Sequence, residues 1–325
     1  MPDAGQSSHV TLPDLADIRA AHVRIAPHVH RTPVLTCNAL DDETGARLYF
    51  KCENFQKVGA FKARGATNAV FSLTDNEARH GVVTHSSGNH GAALAYAARR
   101  RGVTAWVVMP DNAPMVKQEN VRRFGATIRF CAPTVAARET ACAAVQADTD
   151  ATLIHPFDDV RVIAGQGTAA LELFETVPDL DIVIAPVGGG GLLSGTAIAA
   201  RSLASGVRVY GAEPANADDA ARSLRSGAVE PLRDSTTIAD GLRTTLSERT
   251  LAALRANVAA IGTASEGAIV RAMRMTWERM KIVIEPSAAV PLACILERSL
   301  DITGARVGII LSGGNVDLDS LPWQA

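Results

Sequence analysis

The residues with the clearest chemical potential lie in the stretch 51–65, which reads K-C-E-N-F-Q-K-V-G-A-F-K-A-R-G. Lys51, Lys57, Lys62 and Arg64 stand here among Phe55, Val58, Ala60 and Phe61. A lysine withdrawn from water has its ammonium form disfavoured, and the freed amine becomes a nucleophile for Schiff-base chemistry. Lys62 follows an apolar pair and precedes a helix start, which suits that role. An amphipathic surface turn whose lysines keep their heads in water has the same local pattern, so the three lysines are not separable here.

Three glycine-containing loops, each after a short apolar run, supply further chemistry. Gly188, Gly189, Gly190 and Gly191 lie between an apolar strand and a helix. Four glycines in a row are entropically costly, and their bare N–H groups at a helix N-terminus can enclose a phosphate. A tight turn is the simpler reading, though one or two glycines would serve for that. The loop Ser86, Ser87, Gly88, Asn89, His90, Gly91 offers hydroxyl, amide and imidazole donors at a helix start, a receptor for a carboxylate or a phenolic oxygen. Ordinary N-capping by Ser and Asn would look alike. The third loop, Ser312-Gly313-Gly314-Asn315, sets one hydroxyl against bare backbone. A dinucleotide fingerprint is approximated by Gly189-x-Gly191-x-x-Ser194 with Glu213 following a strand, but the third glycine is replaced and Lys62 is left without a role.

The elements that must position these groups are read from periodicity. Helical spacing runs over 12–26, with Asp14 as a cap, and strand-like runs occur at 47–50, 81–84, 105–109, 127–131, 152–155, 182–187, 207–211 and 307–311. Helical segments at 65–73, 92–101, 113–124, 136–146, 166–177 and 192–204 alternate with them. That alternation implies an α/β fold of parallel sheets covered by helices on both faces, with ligands at the carboxyl ends of strands.

With 325 residues, 47% of them hydrophobic, the chain can bury a large core and form two lobes. A net charge of −2 does not suggest nucleic acid or anionic membrane as a partner. Cys37, Cys52, Cys131, Cys142 and Cys294 are scattered without CxxC spacing, as expected of reduced thiols rather than disulfides or a zinc site. The polar N-terminus and the absence of a long apolar run predict a cytoplasmic protein with no membrane span.

Taken together, the segments F-Q-K-V-G-A-F-K-A-R-G-A (55–66), H-S-S-G-N-H-G (85–91), I-A-G-Q-G-T (163–168), G-G-G-G (188–191), E-P-A-N-A-D-D (213–219), I-A-D-G (238–241) and L-S-G-G-N-V-D-L (311–318) closely resemble the serine racemase and threonine/serine dehydratase family of pyridoxal-phosphate enzymes, of the tryptophan-synthase-β fold. The resemblance spans almost the whole chain. It implies that Lys62 carries pyridoxal phosphate, Phe61 packs by its ring and Asn89 meets its 3′ oxygen. Gly188, Gly189, Gly190, Gly191 and Leu192 would hold the phosphate, and Ser312 the pyridine nitrogen. Ser86, Ser87, Gly88, Asn89, His90 and Arg138 would bind substrate, with Lys62 and Ser87 as the catalytic pair on opposite faces. Glu213, Asp219 and the Ala217 carbonyl would bind Mg²⁺ or Ca²⁺.

The implied reaction is elimination from a β-hydroxy amino acid such as L-threonine or L-serine, giving a 2-oxoacid and ammonia, with serine racemisation alongside. A hydroxyl at the ring nitrogen makes a weaker electron sink than a carboxylate, which favours elimination. A 3-hydroxyaspartate ammonia-lyase is the alternative, since Arg138 or Arg243 suits a second carboxylate. A catalytically silent cofactor-binding protein is the outside reading. The resemblance further implies a small mobile domain over 55–153, a large domain from 1–54 and 154–325, and a homodimer. Phe157-Asp158-Asp159 departs from the animal racemases and argues against their nucleotide activation. The end of the chain soon after Leu318 leads us to expect no isoleucine-sensing domain.

Overall fold

The computed structural model describes residues 10–324 except Ser87 and Pro114. Among the described residues, ten strands form two sheets: β1 (Val34–Leu35), β2 (Arg47–Cys52), β3 (Val82–His85), β4 (Ala105–Pro110), β5 (Thr127–Cys131), β6 (Thr152–Leu153), β7 (Ile182–Pro186), β8 (Arg208–Pro214), β9 (Ala260–Ala264) and β10 (Arg306–Leu311). The larger sheet runs β1-β2-β10-β7-β8-β9 and the smaller β5-β4-β3-β6. Every pairing is parallel except the short β1–β2 edge. Parallel strands buried on both faces read as continuous apolar runs, and β7, I-V-I-A-P, is buried along its whole length. The expected α/β architecture is the observed one.

Local signals account for many of the helix ends. Asp14 caps the helix Leu15–Ile25 in a reciprocal capping box with Asp17. The alanine-rich helix Asn89–Arg101 stops at Gly102, whose left-handed φ of 78° an L side chain rarely adopts. Two later elements escape a reading by periodicity. Strand β9, A-I-G-T-A, intersperses Ile261 and Thr263 with small residues and has no continuous apolar run, and helix Pro286–Leu296 is apolar on nearly every face, so neither shows a usable period.

Close helix packing fixes the relative position of the chemical groups. A Cβ on Gly165 would fall 2.6 Å from the Gly65 Cα, and one on Gly195 would fall 2.4 Å from the Ile163 carbonyl. The helices Lys62–Ser72, Val160–Thr176 and Gly191–Leu203 therefore meet backbone to backbone, and the I-A-G-Q-G-T segment serves this seam. Beneath it lies a buried ion cluster. Lys51 on β2 pairs with Glu172 at 2.6 Å, while Arg64 bridges Glu53 and Glu172 at 2.7 Å each. No helix of the described residues is long and apolar enough to cross a membrane.

Candidate active site

Three loops at the carboxyl ends of β3, β7 and β10 carry the groups singled out above. The loop after β10 is tied directly to Lys62. The Phe61 N–H donates to the Ser312 carbonyl at 2.9 Å, Ala60 bridges Gly313, and the Gly314 N–H donates to the Gly59 carbonyl at 2.9 Å. Ser312 is buried. Lys62, first residue of its helix, donates its Nζ to the Pro156 carbonyl at 2.8 Å and lies 5.2 Å from the Phe61 ring centroid. Burial alone pushes its amine down to about 8. Lys51 has its ammonium fixed by Glu172 and the Thr32 carbonyl. Geometry thus separates lysines that local sequence leaves equivalent.

The glycine loop enters helix Gly191–Leu203 through Gly190, which has φ 87° and makes no side-chain cap. The first N–H groups of that helix are therefore available to an anion. A Cβ on Gly189 would fall 2.4 Å from the Phe157 ring, and one on Gly188 would fall 2.9 Å from the Leu242 Cα. The glycines admit these two neighbours as well as forming the cradle. Leu192 is buried at the second helical position. Asp158 and Asp159 also have structural partners: Asp158 pairs with Arg249, and Asp159 caps helix Val160–Thr176 while binding Arg161 at 2.6 Å.

At the β3 loop, helix Asn89–Arg101 begins without a side-chain cap, so its first N–H groups face the loop. The Ser86 hydroxyl accepts from the Gly88 N–H at 3.2 Å. The His90 imidazole is buried and meets the Ile154 carbonyl at 3.4 Å, so the backbone N–H is what His90 offers the loop. Ser87 lies outside the described residues. Asn89 donates its Nδ2 to both Glu285 oxygens at 3.1 Å and accepts from Asn315 Nδ2 at 2.8 Å.

Two histidines line the same region. His85 and His155 contact edge to face at 5.2 Å. His155 Nδ1 accepts from the Asp158 N–H at 2.8 Å, which places its proton on Nε2, and burial lowers it to about 4. His85 is lowered by burial and then by the charge of Arg138, whose Nε donates to the Thr134 carbonyl at 3.4 Å. Arg243 instead donates to the Thr237 carbonyl.

A second polar corner lies at the end of β8. Glu213 accepts from the Ala220 and Ala221 N–H groups at 2.9 Å each, so it caps helix Asp219–Ser226. Asp219 has both carboxylate oxygens buried without a partner. Burial raises Glu213 to about 8 and Asp219 to about 6. The unpartnered Asp219 carboxylate, with Glu213 and the buried Ala217 carbonyl beside it, is a donor set that fits a hard divalent cation.

Sequence reasoning missed Glu285 and the pairing of Lys117 with Asp240. The one local signal for Glu285 was its place before Pro286 at a helix start.

The comparisons with known proteins show the family. The family described as "Pyridoxal-phosphate dependent enzyme" matches residues 25–313. A β-hydroxyaspartate dehydratase of Paracoccus denitrificans (strain Pd 1222) is 52% identical over 313 residues, covering 96% of this chain and 99% of that protein. The structure of maize serine racemase has a TM-score of 0.94 at 46% identity, covering 97% of both chains. The serine racemase structure from Dictyostelium discoideum has a TM-score of 0.90 at 51% identity, covering 94% of this chain and 99% of that one. Lys62 without a carboxylate partner and the uncapped helix after four glycines fit the aldehyde and the phosphate of that cofactor. The chain belongs to the pyridoxal-phosphate-dependent enzymes.

Proposed function

We propose that this enzyme removes the β-hydroxyl of a β-hydroxy amino acid and releases a 2-oxoacid and ammonia, with 3-hydroxyaspartate as the substrate its site suits best. The observation that carries the elimination is the Lys62 amine, lowered to about 8 by burial and held at the glycine cradle and the Ser312 loop. Pyridoxal phosphate, when bound, supplies the electron sink for the pair left at Cα. Lys62 would hold the cofactor and, once displaced by the substrate amine, take the α-proton. The N–H groups at the start of helix Asn89–Arg101, with Ser86, would bind the α-carboxylate. Water is lost from Cα–Cβ and then consumed in hydrolysis, so the net products are the oxoacid and ammonia.

Arg138 supports the second carboxylate, because its charge acts on His85 and its one side-chain bond among the described residues is a long one, 3.4 Å to the Thr134 carbonyl, whereas Arg243 donates twice to the Thr237 carbonyl. The 52% identity to a β-hydroxyaspartate dehydratase points the same way. Ammonia release from 3-hydroxyaspartate isomers, L-serine and L-threonine, measured side by side, tests this. Faster turnover of threonine than of every hydroxyaspartate isomer would overturn the substrate assignment. Serine racemisation is the second reading, favoured by the likeness to maize serine racemase and by Ser87 in the H-S-S-G-N-H-G loop. Loss of D-serine formation in Ser87→Ala checks it.

The Glu213, Ala217 and Asp219 corner is assigned to Mg²⁺ or Ca²⁺, on the strength of the unpartnered Asp219 oxygens. Residues 55–153, which contain the whole smaller sheet, are assigned to a mobile lobe that closes over substrate. Small-angle scattering with and without a dicarboxylate analogue would show that closure as a smaller radius of gyration.

A further inference from the structure

A buried carboxyl with no cation of its own stands beside the cofactor loops. Glu285 is 5% exposed, and it makes no side-chain cap to the helix Pro286–Leu296 that it precedes. Its backbone N–H donates to the Gly313 carbonyl at 3.0 Å, and a Cβ on Gly313 would fall 2.7 Å from its Oε1. The carboxylate therefore lies against the residue next to Ser312. Both of its oxygens take Asn89 Nδ2, while Asn89 Oδ1 takes Asn315 Nδ2, which also donates to the Val58 carbonyl at 2.8 Å. Burying a carboxyl among neutral groups is costly, and a purely structural position could be filled by an apolar side chain. The charged groups facing Glu285 are Asp240, on the loop before Arg243, and Lys117, on helix Met115–Arg123. They are paired with each other.

We infer that Glu285 is a positioning residue of the active site: with Asn315 it fixes the amide sense of Asn89 and so presents the Nδ2 donor to the cofactor that Lys62 carries. A carboxamide can be turned over with little steric change, and only its hydrogen-bond partners decide which end points where. Asn315, whose own amide sense is fixed by its Nδ2 donating to the Val58 carbonyl, donates to Asn89 Oδ1, and a carboxylate at 285 can only accept. The two together allow one orientation. Burial raises Glu285 to about 7, with Asp240 adding to the rise. Its proton is therefore exchanged in the working range, and the hold on Asn89 tightens as that proton leaves.

The inference rests on the assignment of Asn89 to the cofactor, and the experiment separates the two. Visible spectra without substrate from pH 6 to 9, cofactor affinity, and melting of the cofactor-free protein are measured for wild type, Glu285→Gln, Glu285→Asp and Asn89→Ala. A glutamine amide can donate as well as accept, so Asn89 is no longer held one way. We expect Glu285→Gln to bind cofactor roughly tenfold more weakly and to lose the spectral step near neutral pH. Its cofactor-free melting temperature should be unchanged or higher, because a buried charge has gone. Glu285→Asp should keep a spectral step. A wild-type spectrum and affinity in Glu285→Gln, or a drop only in melting temperature, would show a structural role and overturn the inference. If Asn89→Ala leaves cofactor spectrum and affinity unchanged, the underlying assignment fails instead.

Discussion

Lys51 and Lys62 stand in one segment, and burial lowers both amines, yet their partners differ. Around Lys51 the desolvation is opposed by Glu53 and Glu172, and its ammonium is held by a carboxylate at 2.6 Å. Around Lys62 the first partner is the Pro156 carbonyl at 2.8 Å, and desolvation acts without an opposing carboxylate. Burial creates the possibility of a nucleophilic amine; the absence of an anion realises it. Lys51 thus ties β2 to helix Val160–Thr176 and to the Thr32 carbonyl, while Lys62 is left without an anion among the described residues.

The largest effect should come from removing the reactive member. Lys62→Ala should abolish the visible absorbance of the bound cofactor and lower turnover by about 10³-fold or more, read by spectrum and ammonia release. Retained turnover would end the assignment of Lys62.

Breaking the structural member should act on stability instead. Glu172→Gln leaves Lys51 and Arg64 short of a buried anion, and the loss should be about 3–5 kcal/mol, read by denaturant melts. The folded fraction at low temperature should still take up cofactor at Lys62. A variant that melts normally would mean that the cluster contributes little.

The difference between the two amines has a pH signature. In the folded state Lys62 loses its proton at about 8, well below an exposed lysine. Cofactor uptake by the cofactor-free enzyme should therefore quicken as pH rises to about 8 and then level, measured by stopped-flow absorbance. A rise continuing to pH 10 would place Lys62 in water.

The carboxylates of the β8 corner sharpen the comparison from the acidic side and give the smallest effect. Glu213 and Asp219 are raised above their unfolded values, so the folded state binds more protons between the ordinary carboxylate range and about 8. That stability is complete at acid pH and is lost as pH rises through about 6 and then 8. Metal-free protein should melt at lower temperature at pH 8 than at pH 5.5, and Mg²⁺ should restore more at pH 8. An equal cation effect at both pH values, or none, would argue against the site.

Much of the fold was legible because its strands are short apolar runs between helices of strong propensity. Strand β5 is recovered residue for residue at Thr127–Cys131. Helix Pro286–Leu296 escaped because its sides are almost all buried, but helix Glu266–Met280 also went unread although its buried Ala268, Ile269, Ala272, Met273 and Thr276 follow helical spacing. At the site, the glycine run and the Ser312 loop were visible as composition. Glu285 was not, because a lone glutamate before a proline reads as an ordinary helix start.

By itself the sequence determined the element alternation, the three loops at strand ends and the set of lysines from which one had to be chosen. Those are local properties of spacing and residue type. The resemblance named Lys62; which lysine lacks an anion, which arginine is tied to the Thr237 carbonyl and which carboxyl holds Asn89 were decided only by tertiary structure. Each depends on partners brought from distant segments, Glu172 to Lys51, Thr237 to Arg243 and Glu285 to Asn89. A side chain's charge state and orientation follow from those partners, and no local pattern encodes them.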